Sequence, residues 1–171
     1  MKVLSFVLSL VLVGALLFAD EKTAVPKSTP GFEKLKTLTG EWSGKTKDGS
    51  AVGVSYKVVS NGTAIMEMLS MAKEGEADMV TVYHPDGDNL IMTHYCSANN
   101  QPRMKALPVS GEIKTLTFSF LDATNLSGPD AGHMHRLAVN FQDKDHFTQE
   151  WTWREKGKDA FTEVFKFERK K

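Results

Sequence analysis

Residues 51–72 read AVGVSYKVVSNGTAIMEMLSMA, and they decide the fold class. Two runs rich in strand-favouring residues flank Asn61-Gly62, the dipeptide that most readily accepts the positive φ of a tight hairpin turn. Working outward from this hairpin, the same rhythm continues over most of the chain. Candidate strands fall at Glu41–Lys47, Ala51–Ser60, Thr63–Ala72, Asp78–Tyr83, Asn89–Ser97, Pro102–Leu107, Ile113–Leu121, Gly132–Gln142, His146–Arg154 and Ala160–Arg169. Most of the connections are short and hold Gly, Asn or Asp. About ten strands joined mainly by hairpins form, most simply, an antiparallel up-and-down β-barrel, because closure removes the exposed edges. A two-layer sandwich satisfies the same pattern. SANNQ and DATNLSGPDAG are longer and polar, as expected of loops on one rim of a barrel.

The chain ahead of this pattern has a different character. Lys2, the apolar run Val3–Phe18 and Ala19 read as a secretory signal peptide over residues 1–19, cut after Ala19. The apolar run of 16 residues falls short of the roughly 20 needed to span a bilayer. The expectation is an exported protein, periplasmic or secreted, with no membrane anchor in its mature form. Residues 20–30 read as a flexible leader, and residues 31–171 as one barrel domain. Phe32, Leu35 and Leu38, spaced by three, predict a short helical segment before the first strand.

Without its signal the chain carries 20 basic and 21 acidic residues, a balance that argues against a nucleic-acid partner. Cys96 is the single cysteine, so no internal disulfide holds the fold.

Strand alternation assigns faces. Leu90, Met92, His94 and Cys96 share one face, as do Met79, Thr81 and Tyr83 on the strand before. Leu116, Phe118 and Phe120 form another inner row, and Leu137, Val139 and Phe141 count back by twos to His135 and His133. Phe147, Gln149, Trp151 and Trp153 line up on one face, as do Phe161, Glu163, Phe165 and Phe167. An inward Glu163 calls for a partner such as Arg103, Arg136 or a histidine, unless a twisted strand carries it to solvent.

Three functional classes follow. The first is a barrel holding a small hydrophobic molecule, contacted by His94, Cys96, Arg103, Met104, Phe118, Phe120 and Trp151; its alternative is that the same side chains fill the core. The second is a zinc or copper site formed by His94, Cys96, His133 and His135. The third is catalysis, and the sequence leans against it. His94 and Cys96 stand about 6 to 7 Å apart on one strand, too far for direct proton transfer, and no serine elbow, phosphate loop or acid pair is present. Asn61-Gly-Thr63 and Asn125-Leu-Ser127 match the glycosylation acceptor pattern, and equally read as turn residues.

The stretch LKTLTGEWSGK, with Gly40, Trp42 and Gly44 opening the first strand after a short helical segment, resembles the lipocalin-like (calycin) superfamily and its nitrobindin-like haem-binding relatives. That resemblance implies a tryptophan plug at the closed end, with a late arginine (Arg154 or Arg169) packed over it, and an interior cavity for a small hydrophobic ligand. The haem-binding relatives further imply an axial histidine, for which His94, His133, His135 and His146 are available.

Overall fold

The structure, a computed structural model, describes residues 28–71 and 78–171. The expected signal peptide, and the leader apart from its last three residues, lie outside the described residues. The chain forms one short helix, α1 (Pro30–Lys36), and ten strands: β1 Gly40–Lys45, β2 Ala51–Val59, β3 Ala64–Met71, β4 Met79–Asp86, β5 Asn89–Tyr95, β6 Gln101–Ala106, β7 Thr115–Thr124, β8 His133–Phe141, β9 His146–Glu155 and β10 Lys158–Arg169. Each strand pairs antiparallel with its neighbour in sequence, and β10 returns to pair with β1. The result is a closed up-and-down barrel; the sandwich alternative is not adopted. Among the described residues no helix is long and apolar enough to cross a membrane.

Helix α1 begins one residue before the expected boundary. The Thr29 hydroxyl accepts from the Phe32 amide at 3.2 Å and Pro30 occupies the first turn, so both start signals are local. Phe32, Leu35 and Leu38 are all buried, as their spacing requires. The Asn-Gly hairpin is a 3-10 turn in which Ser60, Asn61 and Gly62 all take positive φ, at 51°, 53° and 86°.

Helix α1 closes one end of the barrel with Trp42. The indole Nε1 donates to the Leu38 carbonyl at 2.7 Å. The Arg169 guanidinium lies 4.0 Å from the indole ring centroid, donating to the Thr39 and Thr37 carbonyls at 2.9 and 2.8 Å. Arg169 is therefore the arginine over the plug. Arg154 instead pairs with Asp159 at 2.7 Å. Gly44 has a steric reason: a Cβ there would stand 2.5 Å from both the Lys166 carbonyl oxygen and the Phe167 ring.

Up-and-down connection places the loops 96–100 and 125–132 together, at the end away from α1. Strand β7 outlasts its expected end at Leu121 because a bulge skips that residue: Met104 pairs with Phe120 and Arg103 with Asp122. A second bulge falls at His135, between the pairs Met134–Trp153 and Arg136–Thr152.

Candidate functional site

The barrel interior has two levels, a sealed polar middle and an apolar mouth. The middle is organised around Glu67, which strand β3 places on the inner face at 1% exposure. Its carboxyl accepts from the Tyr83 hydroxyl at 2.6 Å and from the Gln149 amide at 3.0 Å, and it also bonds the Tyr56 hydroxyl. Gln149 further donates to the Tyr56 hydroxyl at 2.7 Å and accepts from the Trp151 indole at 3.1 Å. Burial outweighs these hydrogen bonds and holds the Glu67 carboxyl above its ordinary value. The same burial, followed by the nearby Glu67 charge, raises both tyrosines.

Trp151 links this cluster to His94, whose ring lies 4.5 Å away. The His94 Nδ1 shares a 2.9 Å hydrogen bond with the Thr81 hydroxyl, while Nε2 is buried without a partner. Desolvation pushes His94 down to about 4, so the ring is neutral at ordinary pH. An unpartnered buried nitrogen costs about 1–3 kcal/mol. Haem ligation needs a neutral imidazole with a free nitrogen, and His94 supplies that chemistry. The packing does not fit the group, because Nε2 is enclosed by neighbouring atoms and no porphyrin face has room against it.

Above this floor the inner row reaches the mouth. Cross-strand pairing keeps Met71 on the face of buried Val52, Met79 on that of Leu69, and Met134, Trp153 and Phe161 on that of Trp151. Met71, Met79, Phe120, Met134 and Trp153 are half-buried there, and Phe161 is 53% exposed. Phe161 thus departs from the buried row expected of it, since β10 extends past the rim. Trp153 and Phe161 stack with centroids 6.2 Å apart. Trp153 also covers Gly132, where a Cβ would meet its ring at 2.2 Å. Glu163 sits beside Trp151 in register, but its carboxylate accepts only a long 3.4 Å bond from the Lys47 amide. None of its expected partners, Arg103, Arg136 or a histidine, meets it among the described residues.

His133 and His135 gather against Phe120 at this same end, their rings 4.5 and 5.0 Å from it. The His133 Nε2 stands 3.3 Å from the His135 Nδ1, and the His133 Nδ1 is 3.0 Å from the Ala131 carbonyl.

The expected site residues therefore separate. His94 and Trp151 meet in the sealed middle. Met104 and Phe118 are fully buried core. Phe120, His133 and His135 form one group near the rim, but His133 does not take the inward face expected of it: the bulge at 135 sets Met134 opposite inward Trp153 and His133 opposite Arg154. Cys96 is buried just past β5, its thiol raised first by desolvation, and its amide donates to the Asn100 carbonyl at 3.1 Å. Arg103 corrects the expectation of an inward side chain: it lies on the outer face, half exposed, paired through Nε with Asp122 at 2.7 Å. The bulge at Leu121 sets Asp122 opposite Arg103, so the two charges satisfy each other outside the barrel. The four-donor metal set is likewise corrected, because among the described residues no three of His, Cys, Asp or Glu are grouped to hold one cation. Glu67 and the two tyrosines were missed as site residues, although Glu67 sits between Ile65 and Leu69 in an alternating inner row and was legible there.

No family model matches the chain, and no curated protein matches it. Among solved structures it is similar to the crystal structure of Rv2717c from M. tuberculosis, with a TM-score of 0.59 at 13% identity over 85% of this chain and 100% of that one. At that identity the likeness shows the fold alone, and a closed antiparallel barrel of this kind fits a calycin-like fold.

Proposed function

We propose that this protein is an exported, non-catalytic carrier that holds a small, largely apolar molecule in the mouth of its barrel. The observation that carries this reading is the half-exposed inner row of Met71, Met79, Phe120, Met134 and Trp153, with Phe161 beyond it, above a floor sealed by Trp151 and His94. Apolar side chains directed inward yet left wet gain free energy when a ligand covers them. Methionines adapt to ligands of differing shape, while Trp153 offers a flat rigid wall. Glu163 at the edge favours a ligand with a hydrogen-bond donor or positive charge at one end. The calycin-like architecture is consistent with such a use, and the N-terminal signal pattern supports export.

Binding of an uncharged naphthylamine dye, read by its fluorescence, tests the site. Trp153→Ala is expected to weaken the dye at least about tenfold, the loss of a large aromatic contact. Leu107→Ala and Leu121→Ala, in the outer groove of about 460 Å³ beside β6 and β7, are expected to leave it unchanged. The opposite pattern would move ligand binding to the outside of the barrel. Intact mass of protein from its own host beginning at Asp20 would establish export processing.

A further inference from the structure

We infer that the mouth takes an organic cation, an ammonium group carried on an apolar alkyl or aryl body, with its charge beside Glu163; this rests on the carrier reading of the mouth. Glu163 shares the inner row of β10 with Phe161 and Phe165 and stands opposite Trp151. It is half-buried, and the one hydrogen bond its carboxylate accepts among the described residues is the 3.4 Å contact from the Lys47 amide. Among the described residues no Lys, Arg or His forms an ion pair with it.

An occupant of the mouth covers Glu163 together with the apolar row. Residues directly opposed across two strands have Cβ atoms about 4.5–5.5 Å apart, and diagonal neighbours about 7–8 Å. Register pairs Glu163 with Trp151 and Phe161 with Trp153, so the carboxylate stands beside the aromatic wall. A body seated on Met71, Met79, Met134 and Trp153 displaces the water around that carboxylate. A carboxylate taken out of water with one long hydrogen bond is costly unless a positive charge accompanies it. A neutral ligand leaves that cost standing and an anion adds repulsion, whereas an ammonium group offsets it.

The surroundings favour the same sign of charge. Trp153 and Phe161 stack with 15° between their planes, and Phe161 remains 53% exposed, so aromatic surface is left for the cation to lie against. His94, packed on Trp151 below, is neutral at ordinary pH and puts no positive charge under the floor. Arg154 alternates with inward Trp153 and faces outward opposite His133, its Nε held by Asp159, so its charge lies on the other side of the wall. A carboxylate beside aromatic rings is the pairing that recognises alkylammonium groups, through charge on one side and the ring faces on the other.

Calorimetric titration of the full-length chain with octyltrimethylammonium, octanol and octyl sulfate, each dilute enough to stay monomeric, tests the charge. The trimethylammonium compound is expected to bind at least about tenfold more tightly than the alcohol, and the sulfate more weakly than either. Glu163→Gln is expected to remove the cation's advantage and leave the alcohol unchanged, whereas Trp153→Ala weakens both. Equal affinity for cation and alcohol, or a cation preference that survives Glu163→Gln, would overturn the inference and leave the carrier reading standing. Tightest binding of the sulfate would replace the cation with an anion. No binding of any of the three would sink both. The parent's ranking of the three compounds decides the sign of the charge even if Glu163→Gln fails to fold.

Discussion

Tyr83 donates a 2.6 Å hydrogen bond to Glu67 in the middle of the barrel, and neither side chain reaches water. A carboxyl has been placed where burial opposes its ionisation and outweighs the hydrogen bonds it accepts.

The first prediction concerns that carboxyl. The folded value of Glu67 lies above the ordinary 4.5, so between the two the native state binds more protons than the unfolded chain. Its contribution to stability therefore falls as pH rises above about 4.5 toward the folded value, and it is highest in acid. Glu67→Gln cannot titrate and is expected to match or exceed the parent at pH 7, and not at pH 4. Glu67→Ala removes the acceptor for Tyr83 and Gln149, at a cost of about 1–3 kcal/mol for the unsatisfied groups alone. Urea melts at the two pH values decide; a loss at pH 7 in Glu67→Gln would mean the carboxylate is ionised and stabilising.

His94 gives the opposite slope. Its value falls from 6.5 unfolded to about 4 folded, so the unfolded chain takes up a proton first. The stability is present above about 6.5 and is lost as pH drops toward 4, up to about 3 kcal/mol across the window. His94→Asn is expected to flatten that part of a stability profile measured from pH 7 to pH 4. A profile equally steep in the variant would assign the acid sensitivity to other groups.

The arginine over the plug should matter more than any exposed ion pair. Arg169→Met keeps the stem but loses the indole contact and three carbonyl bonds, to Thr37, Thr39 and Lys144, an expected cost of about 1–3 kcal/mol by thermal or urea melts. Arg169→Lys restores charge without the planar fork and recovers only part of it. Arg154→Met breaks a pair at the surface and is expected to cost less than about 1 kcal/mol.

Gly44→Ala tests whether the glycine serves the ring or the backbone. A new Cβ meets the Phe167 ring, which can yield, and the Lys166 carbonyl, which cannot. The double variant Gly44→Ala with Phe167→Leu is therefore expected to stay well below Phe167→Leu alone. Full recovery would show that the ring was the obstacle.

The barrel was legible because its signals are local. Asn61-Gly62, the three-residue spacing of Phe32, Leu35 and Leu38, and alternation along β5 and β8 each follow from neighbours in sequence. The plug was half legible, since nothing local distinguishes Arg154 from Arg169; strand register does, by setting Trp42 opposite Arg169. Register and bulges also account for the misreadings. One skipped residue at Leu121 set Asp122 across from Arg103, outside the barrel, and another at 135 brought two histidines together while His94 stayed with Trp151. Glu67 was readable from alternation, but its partners lie on three other strands, which pattern alone does not align.

The pairing of Trp42 with Arg169 also sets the timing of assembly. The first strand made waits for the last, so a growing chain carries an open edge on β1 and another on its newest strand until β10 is complete. Closure of this kind is slow and leaves strand edges open to other chains meanwhile. A ribosome stalled before Arg169 would hold an open sheet rather than a barrel.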